Sequence, residues 1–457
     1  MHRGRLKNSH ASWFVVFGAA ISIYCLPARA AEQEVVVISP HWDGIRQETA
    51  RAFSAWHDKK YGSPVTIRWR EAGGGGSQII RFLRSEYQAG PSAGIDVLYG
   101  GGNDAFRDFK KDGLLTRYDP PTEILALIPP KLNGVEIIDP DHAWFGACLS
   151  SFGILTNERA RQAAGLPEVH AWADLTDPRL TGWVSASDPR ASSSVLQIYE
   201  IILQSYGWEK GWAVLMEMSG NVRHFLPSAA ASVVEVGVGD AAYGVAIDVY
   251  GQAQASFYGA DNVSFAVPAG QTIINPDCIA ILKNPPHPEL AQHFIEFVLS
   301  RDGQLLWMAP KGSPGGSMRY AINRMSVQPA LYDELKGETP IALNPFKSHS
   351  EFDYSNELGA KRRAILSALL SASMIDTHDV LISAWKALHS SAAQKLPPER
   401  QQALLAAFLT PPCSDTELLH LATTDWLDPI KRTSLINRWQ NEALHRYKNL
   451  LAELGSD

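Results

Sequence analysis

Apolar and polar positions along this chain switch period repeatedly, from about two residues to about 3.6 and back. Val35 to Ser39 is an apolar run stopped by Pro40, which reads as a strand. From Arg46 to Lys59 a helix is predicted, because Ile45, Thr49, Phe53 and Trp56 fall on one face. Val65-Thr66-Ile67-Arg68-Trp69 alternates by face and reads as a second strand. Gly73 to Gly76 form a loop, and Ser77 is placed to cap a helix running through Ile79, Ile80 and Leu83. Ile95 to Tyr99 is a third strand, ended by three glycines, and a helix follows from about Asp104 to Lys111. Strands alternating with helices predict a mostly parallel sheet covered by helices on both faces.

The pattern repeats further on. Strands are expected around Ala143–Leu149, Ile154–Asn157, Trp183–Ala186, Tyr243–Ile247 and Val263–Ala266, with a long helix after Ser192, Ser193 and Ser194. The strand at Asp277–Leu282 reads as a return to the first unit. Asn284-Pro285-Pro286 stops it, and Pro288 opens a helix whose Leu290, Phe294, Phe297 and Val298 form one buried stripe. From about residue 355 the chain reads as helices. Pro397-Pro398 open one, Ser414 to Glu417 form a capping box for another, and Asp428-Pro429 start a last one reaching Leu454.

Composition narrows the class. The 457 residues are enough for two or three domains with real cores. The first thirty residues hold Arg3, Arg5 and Lys7, an apolar run from about Trp13 to Leu26, and the small-residue site Ala28-Arg29-Ala30. This is a secretory signal pattern, so residues 1–30 are expected to be removed and the mature chain to be exported. The formal charge of −7 becomes more negative without that basic segment, which argues against nucleic-acid binding. Cys25 leaves with the signal. Cys148, Cys278 and Cys413 match no zinc or redox spacing, and export permits one disulfide.

Several segments carry a resemblance. Trp172-Ala173-Asp174-Leu175-Thr176-Asp177-Pro178-Arg179-Leu180-Thr181-Gly182, the Asp188-Pro189 turn before the three serines, and Gly239 to Tyr250 occur in a fixed order with the strand–proline–helix unit at 279–304. In that order they resemble bacterial extracellular solute-binding proteins of ABC importers, in the group of iron(III), polyamine and phosphonate binders. The resemblance spans roughly residues 34 to 320. It implies an α/β fold of two lobes, the type II periplasmic binding protein architecture, with a C-terminal helical extension. The expected divisions are 31–147 and 276–340 for lobe one, 148–275 for lobe two and 341–457 for the extension. The implied role is capture of a small polar solute in the periplasm for an inner-membrane ABC permease, by a monomer. A sensory protein signalling through a membrane receptor is the alternative, motivated by the helical tail. Cys148 and Cys278 would lie on the two crossing strands, near each other, with a disulfide or two free thiols as the alternatives.

Ligands of such sheets bind beyond the carboxyl ends of strands. The candidates there are His41 and Trp42, then Gly75, Gly76 and Ser77, then Gly101, Gly102 and Asn103. The second lobe offers Ser192, Ser193, Asp248 and Tyr250. Small residues and helix-start amides suit an anion or polar oxygen. No cofactor is required. Iron(III) is a possible cargo, with His41, Asp248 and Tyr250 as ligands, although iron binders of the group often use two adjacent tyrosines and here Val249 precedes Tyr250. A phosphonate, a carboxylate or a cationic amine held by Asp248 are the other options. No nucleophile elbow, P-loop or metalloprotease helix is present. Gly100 to Ala105 fits a dinucleotide fingerprint in letters but follows the third strand, so a binding protein is expected, not an enzyme.

Overall fold

The computed structural model describes residues 33–455 apart from 74, 342 and 348–351. The expected signal segment and Cys25 lie outside the described residues. Within them, no single helix is long and apolar enough to cross a membrane.

The chain folds into two α/β lobes. The strands of the first are β1 (Gln33–Ile38), β2 (Val65–Arg70), β3 (Val97–Gly102), β4 (Leu115–Thr116) and β5 (Phe145–Ser150). Those of the second are β6 (Phe152–Asn157), β7 (Val184–Ser187), β8 (Val222–Leu226), β9 (Tyr243–Ile247) and β10 (Val263–Ala266). The chain then returns through β11 (Asn275–Leu282). The first sheet runs β2-β1-β3-β11-β4, with β5 also on β11, and the second runs β8-β7-β9-β6-β10. Both sheets are mixed. β1 is parallel to β2 and β3, but β11 is antiparallel to its neighbours; β6 is antiparallel to β9 and β10. The antiparallel strands are those that follow the crossing between lobes, where the chain reverses direction.

The apolar run of β1 is buried on both sides. Val35 and Val37 enter one core and Val36 and Ile38 the other, because successive side chains leave opposite faces. Helix α1 (Asp43–Tyr61) buries Ile45, Thr49 and Phe53 as the spacing predicts. The helix Pro288–Leu299 buries Phe294, Phe297 and Val298 in the same core, with Leu290 at its edge. Helix α2 (Gly76–Ala89) starts two residues earlier than a cap at Ser77 implies. Its N-cap is Gly75, so Ser77 sits inside the first turn and caps nothing. Gly100 and Gly101 lie within β3 and not after it, both at φ 106. A side chain at Gly100 would meet the His41 ring at 2.9 Å, so a glycine there lets the two strand ends approach.

The crossing strands β5 and β11 do pair, with Cys148 opposite Asp277 and Cys278 opposite Gly146. A register shift between Asp277 and Cys278 sets the two thiols on opposite faces. Cys148 joins one core and Cys278 the other, and both are free. The two cysteines lie on paired strands as expected, but their side chains diverge and no disulfide joins them.

The sequence reading sets the tail, residues 341–457, apart from both lobes as an extension. The structure places it inside the second. The helices Asn356–Leu370, His378–Leu388, Pro398–Leu409, Asp415–Thr423 and Pro429–Glu453 share one hydrophobic core with the strands and helices of lobe two. Trp385 lies against Gly220 and donates to Asn221 at 2.9 Å, and Trp208 donates to the Cys413 carbonyl at 3.0 Å.

Candidate functional site

A cleft of about 380 Å³ separates the two lobes. Six helices begin on it. Besides α1 and α2 these are α3 (Asn103–Lys111), α4 (Ser193–Tyr206), α5 (Ala229–Val238) and α6 (Asp248–Tyr258). Their N-cap residues, Trp42, Gly75, Gly102, Ser192, Ser228 and Ile247, all line the cleft. Every one follows a strand or a turn leading out of one, which is why the sheet topology gathers them. The first amides of a helix have no intrahelical acceptor, and the helix dipole is positive there. Six such ends around one cavity make it receptive to negative charge.

Two arginines add full charges. Arg46, in the first turn of α1, donates to Glu71 at 2.5 Å and also to Asp43. Arg363, from the C-terminal extension, pairs with Asp104 on α3. Glu71, Asp104 and Asp277 line the cleft as well, so each cation already holds an acid.

At the base of the cleft sits a buried charge network. Arg324 donates to Asp277 at 2.5 Å and to Ser150, and lies 3.2 Å from the His41 Nε2; His41 Nε2 is 3.0 Å from Asp277. Burial opposes the Asp277 charge, but Arg324 and His41 hold its carboxyl well below the ordinary carboxylate range. Burial holds His41 below its usual value, so the imidazole is neutral near pH 7. This network ties β1, β11, β5 and the segment after Met318 together where the chain crosses between lobes.

The lobes meet in the structure. A side chain at Gly76 would lie 3.0 Å from Ser193 Oγ, and one at Gly75 would lie 3.2 Å from the Ala191 carbonyl. The Tyr250 hydroxyl of lobe two donates to the Pro40 carbonyl of lobe one at 3.4 Å, and Asn323 donates to Ser256 at 2.8 Å. The cleft is therefore in a closed form.

His41, Trp42, Gly75, Gly76, Gly101, Gly102, Ser192, Ser193 and Tyr250 are brought together on this surface. Ser77, Asn103 and Asp248 are not. Asn103 is fully buried between the lining neighbours Gly102 and Asp104. Asp248 turns to the crossing segment, where Oδ2 accepts from the Ser151 amide at 2.8 Å and its hydroxyl at 3.3 Å. Burial pushes its carboxyl up to about 6. These contacts also dissolve the anticipated iron ligand set. Asp248 is committed to Ser151, His41 faces the Arg324 cation, and Tyr250 bonds Pro40. Among the described residues no group of three His, Cys, Asp or Glu side chains is placed to hold a metal ion.

Sequence reasoning missed Arg46, Asp277, Arg324 and Arg363. Arg46 and Asp277 were legible in principle, since they flank the first strand-end loop and start the return strand. Arg324 lies in an irregular segment and Arg363 in the tail, and no local pattern points either toward the cleft.

Comparison with known proteins agrees with this geometry. Over 283 residues the chain is 27% identical to the phosphoglycerate transport regulatory protein PgtC of Salmonella typhimurium, covering 61% of this chain and 65% of that protein. The chain thus spans just under two thirds of that relative's length. Among solved structures it resembles the periplasmic binding protein P5PA, at 19% identity and TM-score 0.60 over 75% of this chain and 100% of that one. It also resembles AfuA from Actinobacillus pleuropneumoniae with fructose-6-phosphate bound, at 18% identity and TM-score 0.57 over 78% of this chain and 98% of that one. Iron-bound HitA from Pseudomonas aeruginosa gives 20% identity and TM-score 0.54 over 73% and 98%. These likenesses establish the two-lobe periplasmic binding protein fold. Residues 92–335 match the profile of the bacterial extracellular solute-binding proteins, more than half of the chain, and the protein belongs to that family.

Proposed function

We propose that this protein binds a small organic anion carrying a phosphate group, in the periplasm, and hands it to an ABC permease in the inner membrane. The observation that carries the reading is the convergence of six helix N-termini and two arginines on one cleft. A phosphate offers enough oxygens to use several amides and a guanidinium at once. The 380 Å³ volume suits a short phosphorylated acid or sugar. PgtC is named for phosphoglycerate transport, and AfuA was solved with fructose-6-phosphate, which supports the same class. Iron is less well supported, because Arg324 stands beside His41 where a cation would bind.

Binding works as a shift between open and closed forms. A ligand that touches both walls favours the closed form by its differential contacts. Tyr250 meets Pro40 across the cleft in the closed form, and the network at the base joins the crossing strands.

A second reading has its own support. PgtC carries the name of a transport regulatory protein, which fits a sensory role through a membrane receptor. Pull-down of the ligand-loaded protein against a permease and against a receptor ectodomain separates the two. The solute class is tested by calorimetry with phosphoglycerate, fructose 6-phosphate, ferric citrate and the dephosphorylated glycerate and fructose. Binding of the phosphorylated members and not their dephosphorylated partners is expected. Binding of ferric citrate alone would overturn the proposal.

A further inference from the structure

The cleft receives one residue from the C-terminal extension. Arg363 lines it, and no other described residue after Asp277 does. Arg363 stands on helix α7 (Asn356–Leu370) beside Arg362, and the two have different surroundings. Arg362 is buried, donating to Glu200 of α4 at 3.0 Å and to Asp415 at 2.8 Å, with its guanidinium 5.0 Å from the Trp208 ring. Two further bonds run alongside. Gln197 donates to the Tyr354 hydroxyl at 2.8 Å, and the Ser355 amide donates to Gln204 at 2.8 Å. Helix α7 is thereby fixed to α4, whose own N-terminus lines the cleft. One residue on from the anchor, Arg363 reaches across to Asp104 in the opposite lobe.

The pairing is unequal. Asp104 keeps a second cation, Arg107, at 3.4 Å. Among the described residues Arg363 is paired with no other acid. Arg363 can therefore leave Asp104 for another anion without stranding a buried carboxylate. A guanidinium presents a planar fork of donors that matches a phosphate or carboxylate with two parallel bonds. Its carrier helix is already docked, so little ordering is needed when the anion arrives.

We infer that Arg363 is a ligand-contacting residue, supplied to the cleft by the C-terminal extension, which exchanges Asp104 for the anionic group of the bound solute. The inference rests on the reading of the cleft as a site for a small organic phosphate. Asp104 is then a competitor for the ligand, and the two residues have opposite effects on affinity. If the pair were only a latch holding the lobes shut, both would act in the same direction.

The test is calorimetry of the full chain with phosphoglycerate and fructose 6-phosphate, using wild type, Arg363→Gln, Arg363→Lys and Asp104→Asn. Arg363→Gln is expected to weaken binding by about tenfold or more, the loss typical of one charged contact to ligand. Arg363→Lys should recover part of it, and Asp104→Asn should tighten binding several-fold. Equal weakening by Arg363→Gln and Asp104→Asn would overturn the inference in favour of a latch. Wild-type binding with Arg363→Gln unchanged within about twofold would overturn the role of Arg363 alone. Failure of the wild type to bind either phosphate would overturn both this inference and the proposed solute class. Should Arg363→Gln fail to fold, Arg363→Lys and Asp104→Asn decide by the same signs.

Discussion

The first lobe completes its core with chain that returns after the strands of the second lobe, whereas the second lobe completes its core with the C-terminal helices. In lobe one, β11 lies between β3 and β4, and the helix Pro288–Leu299 covers one face. In lobe two the helices beyond residue 355 share a single core with β6, β7, β9 and the helices between them. Each lobe also receives one buried arginine from its late segment. Arg324 meets Asp277 in the first, and Arg362 meets Glu200 in the second. The lesson is that the extension stands to lobe two as the return segment stands to lobe one. It is part of the fold, and not a module hung on it.

The sharpest way to break this comparison is to end the chain at Phe346. That removes Trp385, Phe408, Trp439 and Tyr447 from the lobe-two core and leaves Glu200 buried without its arginine. Loss of one such aromatic typically costs about 3–5 kcal/mol, and a whole domain is stable by only about 5–15 kcal/mol. The truncated protein should therefore lose its cooperative melt by calorimetry. A sharp transition near the wild-type temperature would show that lobe two stands without its tail.

Next in size is Arg362→Met, set against Arg324→Met. Each removes the arginine from a buried carboxylate, leaving Asp277 with His41 and the Gly101 amide and Glu200 with Gln204, and about 3–5 kcal/mol is the upper range expected. Urea unfolding of the two variants should give similar losses. A loss below about 1 kcal/mol for Arg362→Met alone would mean the extension is held by apolar contacts, with its ion pair incidental.

Asp248 tests the crossing point that both lobes share. Its folded pKa lies near 6, above the ordinary carboxylate value, because burial disfavours its charge. The folded state therefore keeps the proton longer than the unfolded one. Stability carries no penalty from this group below about pH 4, loses ground as pH rises, and bears the full penalty above about pH 6. Asp248→Asn lacks that titration. The stability of the variant relative to wild type should rise by up to about 3 kcal/mol between pH 4 and pH 7, read from paired melts. A gap that is flat with pH would place the carboxylate in contact with water.

The smallest effect is expected at Gly76. An alanine there presses on Ser193 Oγ across the cleft, but a hydroxyl can rotate aside. Gly76→Ala should weaken ligand binding by about twofold, near 0.5 kcal/mol, with little change in the unliganded melt. A change of melting temperature without a change of affinity would mean the contact persists in the open form.

Much of the architecture was legible because it rests on local periodicity. The alternation through β1, α1, β2 and α2 and the buried stripe of Pro288–Leu299 all follow from side-chain spacing. The strand-end rule gathered nine of the twelve anticipated cleft residues onto one surface. The misses share a different cause. Cys148 and Cys278 do lie on paired strands, and what the sequence left open, whether they bond, turns on a register shift that no composition encodes. Asp248 follows a strand end as expected, but its neighbour Ser151 in the crossing segment captures it. Arg363 reaches the cleft from a helix docked in part by Arg362, one position earlier, on Glu200, 162 residues away. Contacts over such separations are set by how elements dock, which a residue's immediate neighbours do not report.

The central position of β11 bears on how the protein comes to be folded. Its partner β3 ends at Gly102, while β11 itself begins at Asn275, so the first sheet cannot close until every strand of the second lobe has been synthesised. The second core waits longer still, for Tyr447 and Leu450. Chains whose contacts join distant residues fold slowly, since loop closure is spent before the contacts form. Neither lobe can lock before its distant segment has emerged, β11 for the first and the C-terminal helices for the second.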